Sequence, residues 1–412
     1  MPSEESRNAA WALLLGGLAG MARADRLQSS LLKEAVMTVY RGNDNMMRQL
    51  GCLSLFAFAL SLFLLTASGI PASACTDFRL NAADGSIVVG RSMEWGLDLK
   101  SQLQKHSRGE QIQSSAPGGK AGLTWKSKYG FLGVNSYGTN LSLDGLNEKG
   151  FSIELLWLPG SKYQAIEATD EAKAISLLDL GTWLLGNFSS VEEAKAAVKN
   201  IKVWAPSMPE WGGEPTAHIA LHDADGKSAV IEFTDGKMNV FDNPNGILTN
   251  APTFDWQITN LRNYINLSPV SHAGKSFGEL DLEPTGQGTG LCGMPGDLSP
   301  PSRFVHTTAY VHFAKRAADA KAAVILAQHI LNSVDIPVGV IRTADSANAH
   351  CDYTQWIVIK DLKNRTFHFR AYSDISLHTV QLNEMDFSEG SKARSCPIAG
   401  ETTFCDVSSY LK

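Results

Sequence analysis

Short β-runs joined by tight turns, interleaved with separate helical stretches, predict an α+β fold with antiparallel sheet for the segment from Cys75 onward. Two observations carry this. Apolar residues alternate with period two in several runs bounded by Asp-Gly and Asn-Gly-like turns, and elsewhere they recur with helical period after capping residues.

In chain order, Thr76-Asp-Phe-Arg-Leu80 and Ser86-Ile-Val-Val-Gly90 flank the turn Ala83-Asp84-Gly85 and read as a hairpin, so Cys75 opens a strand. Strands are expected over Tyr129–Gly133, Ser152–Leu156, His218–His222, Ser228–Phe233 and Met238–Phe241. Helical period appears over Glu171–Leu185, over Ser190–Asn200 after a Ser-x-x-Glu pattern, over Phe254–Ile265 and over Lys315–Val334. Without a repeat, a low-complexity run or a long linker, residues 75–412 read as one domain.

The composition, 44% hydrophobic and 19% charged over 412 residues, is that of a globular chain. A net charge of -6 without a basic run gives no nucleic-acid footprint and no polybasic membrane patch, which leaves small-molecule chemistry. The sharpest break lies near the front: no charged residue occurs from Gln49 to Ala74, and Cys52 to Ala67 is almost wholly apolar. Arg48, this apolar run and the small residues Pro71-Ala72-Ser73-Ala74 form the three parts of a signal peptide over residues 46–74, cleaved before Cys75. The run is shorter than a spanning helix needs, so no stable membrane insertion is expected after cleavage. A signal of this kind starts near the N-terminus, so residues 1–45 read as a spurious extension and Met46 or Met47 as the start. The mature protein is then exported, periplasmic or secreted.

Of six cysteines, Cys52 leaves with the signal, and five remain: Cys75, Cys292, Cys351, Cys396 and Cys405. In an oxidising compartment an odd number leaves one cysteine unpaired, either by accident or as a working thiol, and four that can pair in three ways. Cys396–Cys405 is the first choice by proximity, with Cys292–Cys351 as its complement. No CxxC or HExxH occurs, so no metal site is expected. Gly286-Gln-Gly-Thr-Gly290 lacks the strand-loop-helix context of a phosphate loop and reads as a surface loop. His350 and Cys351, adjacent in an extended segment, point to opposite faces and form no dyad. The Gly-x-Ser-x-Gly elbow of serine hydrolases is absent.

Cys75 is thus the candidate nucleophile. At a chain terminus it would carry its own base, because an α-amine with a pKa of about 7.7–8.0 can accept the thiol proton near neutrality. The blocks ACTDFRL, GRSMEW, DGLNEKG, NPNGILTNAPTFDWQITNLRNY and PGDLSPPSRFVH, in that order, with DYTQWIVIKDLKNRTFHFRAY later, resemble the choloylglycine hydrolase family of penicillin V acylases and bile salt hydrolases. The resemblance implies the N-terminal-nucleophile (Ntn) hydrolase fold, a four-layer αββα sandwich with two antiparallel sheets between helical layers. It implies Cys75 as nucleophile and Arg91 as the positive charge that favours its thiolate. Glu94 stands where most relatives carry the aspartate that orients the nucleophile's amine. Asn250 and the backbone N–H of Trp157 are implied as oxyanion donors, and Arg303 as the second arginine of the charge network.

The activity implied is hydrolysis of linear amides with no cofactor and no metal. Trp95 and Trp157 offer aromatic walls for the substrate, which suit phenoxyacetyl-type or N-acyl homoserine lactone amides; conjugated bile salts are the alternative. An alternative of another class is a non-enzymatic lipoprotein acylated at Cys75, although Ala72 replaces the usual lipobox leucine. The partner is a small-molecule amide, and by resemblance the assembly is a homo-oligomer, a tetramer in many relatives.

Overall fold

The computed structural model describes residues 74–211, 213–342, 351–402 and 408. The readings of residues 1–45, of the signal up to residue 73, of His350 and of Cys405 lie outside these.

The first hairpin forms as its turn chemistry predicts. Strand β1 (Cys75–Asn81) pairs antiparallel with β2 (Ile87–Trp95), with Cys75 opposite Met93 and Asp77 opposite Arg91. Asp84 closes the turn by accepting from the Ser86 N–H at 2.8 Å, and Gly85 takes the left-handed φ of 83°. All of β2 is buried, as befits a strand covered on both faces. Gly90 is required there, since a Cβ would meet the Phe78 ring at 2.6 Å.

The chain continues through β3 (Gln102–His106), β4 (Phe131–Val134), β5 (Asp144–Asn147) and β6 (Ser152–Trp157). Helices α1 (Leu177–Asn187) and α2 (Val191–Val198) follow, capped by the Ser176 and Ser190 hydroxyls. Then come β7 (Ala217–His222), β8 (Ser228–Thr234), β9 (Lys237–Asp242) and β10 (Ile247–Leu248). Three helices, α3 (Phe254–Asn260), α4 (Pro300–Phe313) and α5 (Ala320–Asn332), precede β11 (Cys351–Asp361), β12 (Thr366–Ala371), β13 (Asp374–Gln381) and β14 (Arg394–Pro397).

Two large sheets result. One has the order β10-β1-β2-β11-β12-β13, with Ile341–Arg342 also paired to β11; the other runs β9-β8-β7-β6-β5-β4-β3-β14. Helix α1 lies against β5 and β6 and α2 against β8, while α4 packs on β1 and β10 and α5 on β2 and β11. The layers are therefore helix, sheet, sheet, helix, the arrangement expected.

Several elements differ from the sequence reading. The helix expected over Glu171–Leu185 begins only at Leu177, because Ala174–Ser176 forms a strand parallel to Lys202–Trp204 and the Ser176 hydroxyl then caps the helix. The stretch Lys315–Val334 starts its helix at Ala320, where Asp319 accepts from the Ala322 N–H at 2.8 Å. Phe254–Ile265 tightens to a 3₁₀ turn after Asn260. Cys292, expected to pair with Cys351, carries a free, exposed thiol on a surface turn, and Cys396 lies exposed on edge strand β14, while its expected partner Cys405 lies outside the described residues. Among the described residues no helix is long and apolar enough to cross a membrane.

Candidate active site

The fold brings Cys75, Asn250, Arg303 and Trp157 together. Cys75 sits at the start of β1, buried, and its N–H donates to Asn250 Oδ1 at 2.6 Å. In this chain that nitrogen is the peptide amide following Ala74. Arg303, on the first turn of α4 and also buried, donates from Nη1 to the Cys75 carbonyl oxygen and to Thr76 Oγ1, the latter at 2.6 Å. Its Nη2 donates to Asn250 Oδ1 at 2.8 Å, and its Nε to the Leu298 carbonyl at 2.9 Å. Burial pulls the guanidinium's pKa down, against the opposing pull of Glu94 and Cys75.

Two donors on Asn250 Oδ1 decide which way that amide faces, because only its oxygen can accept. The NH₂ end is turned toward β6, where it donates to the Trp157 carbonyl at 2.7 Å. Trp157 opposes Ala217 in the ladder. Ala217, however, gives its N–H to Tyr163 Oη at 3.1 Å and accepts the Ser161 hydroxyl at 3.2 Å, so the two residues form a non-hydrogen-bonded pair. The N–H and C=O of an extended residue project to the same side, so the Trp157 N–H faces Asn250 together with its carbonyl. Two donors, Asn250 Nδ2 and Trp157 N, thus share one side of β6 beside Cys75.

Arg91 is held by two backbone carbonyls of the facing sheet. Its Nη1 donates to the Leu143 carbonyl at 3.0 Å and its Nη2 to that of Leu155 at 2.7 Å; Asp144 lies 3.7 Å away and the Trp356 ring stacks at 4.7 Å. Met93 stands between Arg91 and the nucleophile, its Sδ 3.8 Å from both Cys75 Sγ and Arg91 Nη2. The Met93 sulfur therefore lies between the guanidinium and the thiol. Sequence pattern gave no reason to single out Met93, which reads as an ordinary core residue.

Glu94 is buried, and Thr354 Oγ1 donates to its Oε1 at 2.8 Å. Burial pushes its carboxyl up to about 7, against the Arg303 charge and the Thr354 hydroxyl, which pull it down. Thr354 reaches Glu94 because β11 carries a bulge: Thr354 opposes Glu94 and Trp356 opposes Met93, leaving Gln355 as the extra residue. No local sequence signal marks that bulge.

Trp95 and Trp157 meet edge to face with centroids 6.3 Å apart, and Trp211, not foreseen, joins them 5.0 Å from Trp95. A second feature absent from the sequence reading is a buried charge chain between the sheets. Lys360 Nζ binds Asp144 Oδ1 at 2.7 Å and also Glu154 Oε1, while His222 Nε2 meets Asp77 Oδ2 at 2.9 Å and Glu154 Oε2 at 3.5 Å. Asp77, Glu154 and His222 offer ligand atoms all within 4.8 Å of one another, the one such group among the described residues. Each is already engaged, Glu154 by Lys360 and His222 by Asp77 and the Ser228 hydroxyl, so the group reads as a proton-sharing cluster and not as a metal cradle.

The model of the choloylglycine hydrolase family, linear amide C–N hydrolases, matches residues 75–395. A bile salt hydrolase/transferase of Clostridium perfringens is 33% identical over 314 residues, which cover 75% of this chain and 93% of that protein. A penicillin V acylase of Pectobacterium atrosepticum is 27% identical over 351 residues, 80% of this chain and 86% of that one. The crystal structure of a variant of the Clostridium perfringens conjugated bile acid hydrolase superposes with a TM-score of 0.70 at 30% identity, covering 81% of this chain and all of that one.

Proposed function

The chain belongs to the choloylglycine hydrolase family of linear amide C–N hydrolases, with the Ntn-hydrolase fold, and on that premise we propose that Cys75, its amine freed by removal of residues 1–74, is the nucleophile of an exported acyl-amide hydrolase. The observation that carries this is the convergence of Asn250 and Arg303 on the backbone of Cys75. In the mature chain the α-amine takes the thiol proton, and the sulfur attacks the amide carbonyl carbon. The carbonyl electron pair moves onto oxygen, where Asn250 Nδ2 and the Trp157 N–H receive the negative charge. Collapse breaks the C–N bond as the ammonium protonates the leaving nitrogen. Water, its proton taken by the same amine, then cleaves the thioester.

The indoles of Trp95, Trp157 and Trp211 favour an aryl or fatty acyl group over a polar steroid, so phenoxyacetyl-type or N-acyl homoserine lactone amides are the proposed substrates. Conjugated bile salts are the second reading, favoured by the bile salt hydrolase/transferase relative at 33% identity. A hydrolysis panel of penicillin V, long-chain acyl homoserine lactones and glycine- or taurine-conjugated bile salts separates them. A chain that cleaves the bile salts alone would overturn the ranking. Mass spectrometry of the mature N-terminus separates the amidase from the lipoprotein alternative, a free Cys75 supporting the first and a diacylglyceryl adduct the second. Assembly as a homo-oligomer is part of the proposal and is read by light scattering.

A further inference from the structure

The turn that carries Asn250 is held at both ends by one buried pair on the opposite sheet. His218 on β7 and Glu232 on β8 are both buried. His218 Nε2 lies 2.9 Å from the Thr249 carbonyl oxygen, and its Nδ1 lies 3.0 Å from Glu232 Oε1. Glu232 Oε1 in turn accepts from the Phe254 N–H at 2.9 Å. A carbonyl oxygen can only accept, so Nε2 carries a hydrogen and donates it to Thr249. A second hydrogen lies between Nδ1 and Oε1, and wherever it sits the pair is neutral as a whole, which makes its complete burial tolerable. The clamp therefore grips the carbonyl immediately before Asn250 and the N–H four residues after it.

We propose that His218 and Glu232 are positioning residues for the oxyanion donor, their hydrogen bonds to Thr249 and Phe254 fixing the Asn250 amide against Cys75 and Trp157. The alternative is that the pair merely fills the core. A pair held only for packing would have no reason to spend both its outward hydrogen bonds on the two ends of one short turn. An amide displaced by about 1 Å still lets substrate bind, yet it loses the developing oxyanion.

The inference rests on the reading of Cys75 and Asn250 given above, and the test separates the two. Steady-state kinetics on the best amide of the panel would compare His218→Phe, His218→Gln, Glu232→Gln, Asn250→Ala and the double variant His218→Phe with Asn250→Ala. His218→Phe is expected to lower kcat by roughly 10²-fold, the size of one lost oxyanion donor, with KM within about twofold. His218→Gln, which keeps a donor for Thr249, is expected to lie between that variant and the parent. In the Asn250→Ala background the same His218→Phe change is expected to cost less than about threefold, because the group it positions is gone. Equal losses in both backgrounds, or a loss confined to KM, would overturn the clamp. If His218→Phe does not fold, Glu232→Gln carries the same comparison. Activity retained in Cys75→Ser would overturn the nucleophile reading instead, whatever the His218 variants do.

Discussion

Arg303 donates to Asn250 Oδ1 at 2.8 Å, and this bond fixes the amide so that its NH₂ end faces Trp157 and not the Cys75 nitrogen. A buried arginine thus does steric and electrostatic work on a neutral side chain.

Replacing Arg303 by Lys keeps the charge but loses the planar fork that spans Cys75, Thr76 and Asn250. The expected outcome is a fall in kcat of roughly 10²-fold with little change in KM, measured by steady-state kinetics. A near-parental kcat would show that charge alone suffices.

Glu94→Gln is expected to lower kcat by roughly one to three orders of magnitude, the range that acid-base positioning supplies, and Glu94→Asp to be tolerated. The carboxyl stands at about 7, raised by burial, and Thr354 opposes that rise through its hydrogen bond. Thr354→Val should therefore move it further up, shifting the acid limb of the kcat/KM profile to higher pH, while Thr354→Ser restores it. An unmoved limb in Thr354→Val would remove Glu94 from the titration that the profile reports.

The strand-turn-strand opening made the first hairpin of the sheet framework legible in the sequence, and the ordered motif blocks pointed to Cys75, Arg91, Glu94, Trp157, Asn250 and Arg303 as candidates. Local alternation marks a hairpin such as β1–β2, whose turn, register and burial are all set within about twenty residues. The Asp77–His222–Glu154–Lys360–Asp144 chain was not readable, because its members come from five strands on two sheets and each looks like an ordinary charged residue in its own window. Met93 and Thr354 were missed for the same reason: one gains its place from strand register and the other from a bulge. The helix at Pro300–Phe313 buries a polar side chain, Arg303, turned inward to Cys75, so its sequence lacks a clean apolar stripe.

Asp77 supplies a pH test of stability. Burial raises its carboxyl to about 8, with the Lys360 charge pulling the other way. A carboxyl whose folded pKa is raised contributes stability that is fully present below its unfolded value of about 3.9, and that contribution is lost as pH climbs toward the folded value. Asp77→Asn should accordingly flatten the decline in urea midpoint between about pH 4 and pH 8. An unchanged slope would mean that the proton is held elsewhere in the cluster.

Lys360, fully buried between Asp144 and Glu154, is the one ammonium that both carboxyl groups share. Lys360→Met removes that shared charge, leaving Glu154 without its cation and Asp144 with Arg91 alone, and is expected to cost about 3–5 kcal/mol in denaturant unfolding. Adding Asp144→Asn and Glu154→Gln should recover much of that loss. A single-variant cost below about 1 kcal/mol would show that the carboxylates are protonated in the native state.

In the proposed mechanism the sulfur of a terminal Cys75 forms the bond to the acyl group. Mass spectrometry of the N-terminal peptide from mature protein, acid-quenched during turnover of the best amide substrate, addresses it directly. The expected result is a peptide beginning at Cys75 and carrying the acyl group as a thioester, absent from Cys75→Ser. A peptide beginning elsewhere, or the acyl group on any other residue, would contradict it.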